Sequence, residues 1–286
     1  MYVSMGMNVC NIVLNYVLIF GKFGLPAMGI RGAAVATVSG RFLGFLILAW
    51  ILFDMRRKQS EWRICREKIV PDMRKVITYG IPAAGEQISY NLAQFFVMFF
   101  VTMLGMKAVT AQSYMNTCVR FIYIFSVSLG QGTAIMIGWS AGAGEYRKAD
   151  QECRFAGRCT FAFSMVIMAG MFFFRNRMFS LFTSDPEILT LAGTVFLANF
   201  LLEAGRSQNL VYVASLRAVG DVKFPFYLGL VSMWCVAVGG SYILGIVMHL
   251  GLFGVWLAQG LDECLRAGGM WIRWKKKNNT GIGVAE

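Results

Sequence analysis

Eight apolar runs, each long enough to cross a bilayer, divide nearly the whole chain: 2–20, 29–53, 77–104, 108–140, 155–182, 188–216, 224–248 and 252–274. A spanning α-helix needs about 20 apolar residues, and hydrocarbon leaves an unpaired backbone only the helix or the closed barrel as solutions. The predicted fold class is an all-α membrane protein, a polytopic helical bundle of about eight transmembrane helices. Composition agrees, with 57% hydrophobic and only 15% charged residues in 286.

Twenty-seven Lys and Arg against 15 Asp and Glu give a net charge of +12. A surplus of that size suits nucleic acid, but its distribution follows membrane sidedness instead. Basic residues collect in 54–75, in 144–158, at Arg217 and Lys223, and at Arg266, Arg273 and Lys275 to Lys277, on alternate sides of an eight-span arrangement. Opposite loops hold only Lys22, Arg31, Lys107, Arg175 and Arg177. The positive-inside rule makes the basic side and the C-terminus cytoplasmic. The predicted location is the plasma (inner) membrane, multi-pass. Trp271 and Trp274 before the lysines read as an interfacial anchor. The seven cysteines form no C-x-x-C or Cys/His cluster and read as packing residues. Met1 leads into a helix containing Asn8, Asn11 and Asn15 rather than a cleavable signal. No P-loop is present, so no ATP use is implied, and no cofactor or tightly held metal is called for.

Charge inside an apolar run demands a reason, because an ionisable group at bilayer depth costs at least about 2.5–3.5 kcal/mol unless it faces protein or water. Glu203, Arg206 and Asn209 lie in such a run, and Glu203 and Arg206, three apart, share a helix face. Glu86 follows Pro82 by four, which reads as the first turn of a helix, where the dipole favours a carboxylate. Asn91, Gln94, Asn116, Gln131, Gln208 and Asn209 add neutral polar groups that could line a cavity or tie helices together. Arg120 reads as snorkelling, His249 as a loop residue, and the run Phe95 to Phe100 as lipid-facing or as an adaptable pocket.

Gly29-Ile-Arg-Gly32-Ala-Ala-Val-Ala36 and Gly251-Leu-Phe-Gly254-Val-Trp-Leu-Ala258 share a pattern 222 positions apart, each opening a helix. Repeated halves are common in transporters, and independent packing faces would read the same way. The long polar stretch 54–76 separates the two. The predicted domains are 1–53, the last two helices of an N-terminal lobe; 54–76, a cytoplasmic basic linker; 77–274, a six-helix C-terminal lobe; and 275–286, a cytoplasmic tail.

Several blocks resemble the multidrug and toxic compound extrusion (MATE) transporters. Asn15 to Thr37 is similar to the family's fifth helix, loop and sixth helix, and Gly80-Ile-Pro-Ala-Ala-Gly-Glu86 to the opening of the seventh. Gly130-Gln-Gly-Thr-Ala with Gly138-Trp-Ser-Ala-Gly-Ala-Gly-Glu145 is similar to the end of the eighth, and Ser215-Leu-Arg-Ala-Val-Gly-Asp221 to the end of the tenth. The resemblance implies helices 5–12 of a two-lobe, 6+6 fold lacking the first four helices. It implies export of small amphipathic, cationic substrates in exchange for H⁺ or Na⁺, with ion coupling at Glu86, Glu203, Arg206 and Asn209 and a possible Na⁺ position at Glu86 and Glu203. Relatives often keep an acid where this chain has Arg206. Whether Glu86, Glu203 and Arg206 form a switch or a structural brace stays open. A flippase for lipid-linked precursors from the same superfamily, or a truncated and transport-inactive product, are the alternatives. The missing N-terminal helices lead to the expectation that this chain alone does not transport.

Overall fold

A computed structural model describes residues 2–22, 27–58 and 66–279. The chain divides into two compact units, Met1–Met73 and Arg74–Glu286.

The first unit holds α1 (Tyr2–Phe20) and α2 (Gly29–Lys58), packed as a hairpin. Gly29 starts α2 at a φ of 53°, a left-handed conformation that only glycine adopts without strain. At Gly32 a Cβ would lie 2.6 Å from the Leu18 carbonyl oxygen, so the absent side chain lets the two helices touch. Within α1, the Asn15 amide donates to Asn11 at 2.9 Å.

The second unit contains α3 (Arg66–Met103, from residue 74 on), α4 (Met106–Gly142), α5 (Tyr146–Phe173), the short α6 (Arg175–Ser180), α7 (Pro186–Ala218), α8 (Lys223–Val247) and α9 (Gly251–Asn279). α8 is α-helical to Ser232 and then widens into π-helical turns over Met233–Val238 and Ser241–Val247. The eight long helices follow the eight expected spans. Among the described residues six helices, α1, α2, α4, α5, α7 and α8, are long and apolar enough to cross a membrane by length and composition. α9 is long enough but carries Asp262, Glu263 and Arg266 at its middle.

Three expected boundaries move. The 54–76 linker is helical at both ends, α2 running to Lys58 and α3 starting at Arg66, and residues 59–65 lie outside the described residues. α3 also continues through Pro82, so Glu86 sits in a helix interior, where the dipole of a first turn gives it nothing. An interior proline forfeits one backbone bond, a loss that membrane helices tolerate where neighbours re-satisfy the freed carbonyl. The run expected at 155–182 is helical from Tyr146 and breaks at Phe174. Its charged start is held by pairs one turn apart, Lys148 with Glu145 at 3.0 Å and Arg154 with Asp150 at 2.8 Å.

α7 is the axis of the second unit, packing most extensively on α9 and then on α4. Asp185 caps it by accepting the Glu187 N–H at 2.9 Å, and Pro186 occupies the first turn, where its missing donor costs nothing. Two apolar clusters grip α7. One gathers Met115, Ile122, Met168, Phe196 and Leu202; the other gathers Ile137, Cys153, Val211, Leu216 and Trp274. Residues 203–209 fall between them. Trp274 is buried and donates to Asp150 at 3.0 Å, so of the two tryptophans expected as an anchor only Trp271 is exposed.

Candidate functional site

The stretch of α7 between its two apolar clusters is polar because α9 brings matching charge to it. Gly205 makes the approach possible: a Cβ there would lie 2.5 Å from the Cys264 backbone nitrogen and 2.7 Å from the Glu263 carbonyl carbon. On α9, Gly260 plays the reciprocal part, facing the Leu202 nitrogen at 3.1 Å from where its Cβ would be. Backbones that close place side chains of α7 and α9 in direct contact.

Five charged groups meet there. Arg206 donates to Glu203 Oε1 at 2.8 Å and lies 3.8 Å from Glu263 Oε1. Glu263 also accepts from the Asn209 amide at 2.8 Å and pairs with Arg266 at 3.1 Å. Arg266 donates to Asp262 at 2.6 Å, and Asp262 takes a further bond from the Ser232 hydroxyl of α8. Three carboxylates against two guanidiniums leave one negative charge when all five are ionised. Burial makes that surplus matter, since Glu203 is fully buried and Asp262 and Arg266 nearly so. Four buried polar atoms near this layer have no hydrogen-bond partner among the described residues: Glu203 Oε2, Asn209 Oδ1, Arg266 Nε and Asn199 Oδ1.

A cavity of about 360 Å³ opens beside the cluster. Arg206, Glu263 and Arg266 form its charged wall with the Asn209 amide among them, and Tyr90 of α3 and Tyr123 of α4 supply aromatic faces. The Arg206 guanidinium stands 5.7 Å from the Tyr123 ring centre, within cation–π range. Glu86 and Arg217 line the same cavity as a separate ion pair. Eleven residues separate Arg206 from Arg217, about 16 Å along a helix. The expected single network of Glu86, Glu203 and Arg206 is therefore two: Glu86 is taken by Arg217, and the second acid of the Arg206 network is Glu263.

The neutral polar residues scatter. Gln131 lines the main cavity, and Gln94 lines a small adjoining one together with Arg206 and Asp262. Gln208 is a helix tie, donating to the Gly157 carbonyl of α5 at 2.8 Å. Asn91 and Asn116 are exposed on the surface of their helices, as is Arg120. Phe95 and Phe99 are exposed too, as lipid-facing residues should be.

Asp262, Glu263 and Arg266 were not expected as site residues, and Arg266 was grouped with the cytoplasmic basic side. The structure buries it in the lobe interior. Its signal was present in the sequence: an acid three and another four positions before an Arg, inside an otherwise apolar run, is the pattern that singles out Glu203 and Arg206 on α7.

The family model described as MatE matches residues 82–243, which include most of this unit and all of α7. The chain is 34% identical to the "Uncharacterized transporter YisQ" of Bacillus subtilis over 97% of its own length and 61% of the relative's. It is 26% identical to the "Multidrug resistance protein MdtK" of Photorhabdus laumondii, over 86% of this chain and 55% of that one. The chain thus spans about three fifths of the length of the relatives it matches. Among solved structures, the Vibrio cholerae MATE transporter VcmN in its bent form superposes with a TM-score of 0.81, at 19% identity, over 98% of this chain and 62% of that one. A MATE protein in the straight conformation gives 0.82 at the same identity, over 96% and 61%. With more than half of its residues matching the family model, the chain belongs to the MATE family, whose members are membrane transporters and not enzymes.

Proposed function

We propose that this chain serves secondary active efflux of small amphipathic, cationic solutes, driven by inward movement of H⁺ or Na⁺, with the cavity between α3, α4, α7 and α9 receiving the solute. One observation carries the reading: a buried layer midway along α7, beside a solute-sized cavity, holds one more carboxylate than guanidinium. A site of that kind takes up one monovalent cation without a large net charge, and buried charged sites between helices are what transporter folds use for substrate and ions. Tyr90 and Tyr123 offer faces for an apolar cation, and Glu86 and Glu263 offer it a counter-charge. The relatives named as multidrug resistance proteins support the solute class. The basic loops support an inner-membrane setting with a cytoplasmic C-terminus.

The test is efflux of a fluorescent amphipathic cation from proteoliposomes under an imposed pH or Na⁺ gradient, for this chain and for any longer product of the same gene. No efflux is expected from this chain alone; in a longer product that transports, Glu263→Gln and Glu203→Gln should each abolish gradient-driven efflux. Efflux equally coupled in both variants would reduce the layer to a brace.

A further inference from the structure

Between Arg158 and Asp185 the only charged side chains are Arg175 and Arg177, both cations, and both lie just past the break between α5 and α6. The charge pattern of the loops puts this break at the outer end of α5, opposite the basic side. Arg175 is already engaged: it donates to the Phe172 carbonyl at 3.0 Å and covers the Phe172 ring at 4.3 Å. Arg177 is exposed and pairs with no acid among the described residues. Beside it runs a groove of about 830 Å³, within the range of about 300–1,000 Å³ that small-molecule sites occupy.

One wall of the groove is a stripe on α5, where Val166, Ile167, Gly170 and Met171 recur every three or four residues, share a face and lead up to Phe174. From Val166 to Phe174 is about 12 Å along the helix axis, and every lining side chain on that path is apolar. α6 and the residue after it supply the other wall, with Arg177 as its one charge. Ser180 lines the groove too, but its hydroxyl hydrogen is spent on the Arg177 carbonyl at 2.8 Å. Phe179 is buried and meets the Phe196 ring of α7 edge-on at 5.6 Å, which holds α6 in place. At Gly170 a Cβ would meet nothing within 4 Å, so the space there is open because glycine leaves it open. None of the groove residues lines the solute cavity.

We propose that this groove binds one anionic glycerophospholipid of the outer leaflet, with an acyl chain laid along the α5 stripe and the phosphate on the Arg177 guanidinium. The proposal is independent of the function proposed above. A guanidinium takes a phosphate through two parallel N–H···O bonds, and Arg177 has no carboxylate to compete for them. A zwitterionic headgroup brings an ammonium of its own to its phosphate, whereas a phosphatidylglycerol headgroup brings none, so charge complementarity selects the anionic lipid. An exported cation is the wrong occupant for the same reason: the groove holds one positive charge and no acid. Snorkelling alone would carry Arg177 to water and leave the groove to any lipid. Here the unpaired cation and the apolar channel adjoin, which is the form of a headgroup and a chain.

Photo-crosslinking tests the site without requiring transport. The chain is placed in phosphatidylcholine nanodiscs with a trace of phosphatidylglycerol carrying a diazirine on one acyl chain, and labelled peptides are read by mass spectrometry, with the rest of the lipid-facing surface as reference. Labelling should concentrate within 166–181 and be competed by unlabelled phosphatidylglycerol. Arg177→Gln should lower it about fivefold, the upper end for an exposed ion pair, and Arg177→Lys, which keeps the charge without the fork, should lower it less. Gly170→Leu fills the groove where there is room for the side chain, and should remove the labelling with Arg177 intact. Both positions tolerate these changes sterically, Arg177 being exposed and Gly170 open, so the variants are expected to fold. Equal labelling of 166–181 by a phosphatidylcholine probe, labelling unchanged in Arg177→Gln, or labelling that survives Gly170→Leu would each overturn the proposal. Displacement of the label by an amphipathic cation, and not by phosphatidylglycerol, would overturn it in favour of a solute site.

Discussion

The α1–α2 and α8–α9 hairpins are closed by the same device and filled with different chemistry. In each, a glycine of positive φ opens the second helix, Gly29 at 53° and Gly251 at 59°. Three residues later a second glycine touches the backbone of the preceding helix. A Cβ on Gly32 would lie 2.6 Å from the Leu18 carbonyl oxygen, and one on Gly254 would lie 2.6 Å from that of Leu244. Beyond the turn the likeness ends. α1 offers neutral asparagines bonded to each other within one helix. α9 offers Asp262, Glu263 and Arg266 to α7 and α8. Closing a hairpin is thus a local matter of turn and close approach, whereas function enters through what the second helix carries past its first turns.

Removing Glu263 should separate the two hairpins most. Glu263→Ala takes a partner from Arg206, Arg266 and Asn209 together, and breaking a buried charge pair costs about 3–5 kcal/mol. Unfolding in mixed micelles should show a loss of that order. Adding Arg266→Met to Glu263→Ala should deepen it, since Arg266 still holds Asp262 and its removal leaves that buried carboxylate without its cation. No change in Glu263→Ala would mean that water already satisfies the cluster.

A mid-sized effect should unite the hairpins instead. Gly32→Val and Gly254→Val both drive a side chain into a carbonyl of the facing helix, and overpacking of this kind costs about 1–3 kcal/mol. Comparable losses in thermal stability for the two variants are expected. A large loss in only one would show that the shared glycine pattern conceals two different contacts.

How much of this the sequence discloses depends on whether the signal is local. Helix positions, the glycine turns and the Glu203–Arg206 pair are set by residues within a turn or two of each other, and the structure keeps all three. The partner of Glu86 is not local: Arg217 stands 131 positions away, and no periodicity selects it over Arg206. Arg266 was obscured by its neighbours, because Arg273 and Lys275 to Lys277 make the end of α9 look uniformly basic, although a carboxylate pair lies one turn before it. Pro82 misled in the other direction, since a proline reads as a helix start and the membrane allows it inside one.

The smallest effect contrasts the amides of the two hairpins' neighbourhoods. Asn15 donates to Asn11 one turn away on the same helix, and its own carbonyl oxygen is buried without a partner among the described residues. Polar contacts in membrane helices average about 0.6 kcal/mol, and Asn15→Leu removes an unpaired acceptor along with the bond. Its net cost should therefore fall below about 0.6 kcal/mol, and a slight gain is consistent with the same balance. Asn209→Leu differs in kind, because it takes from the partly buried Glu263 Oε2 an N–H donor supplied by another helix. Leaving a charged acceptor short of its donor costs about 1–3 kcal/mol. The ratio of the two leucine variants, measured in the same micelles, reads the difference between the hairpins directly: an amide bond inside one helix adds almost nothing to helix association, and an amide bond between helices holds a charge in place.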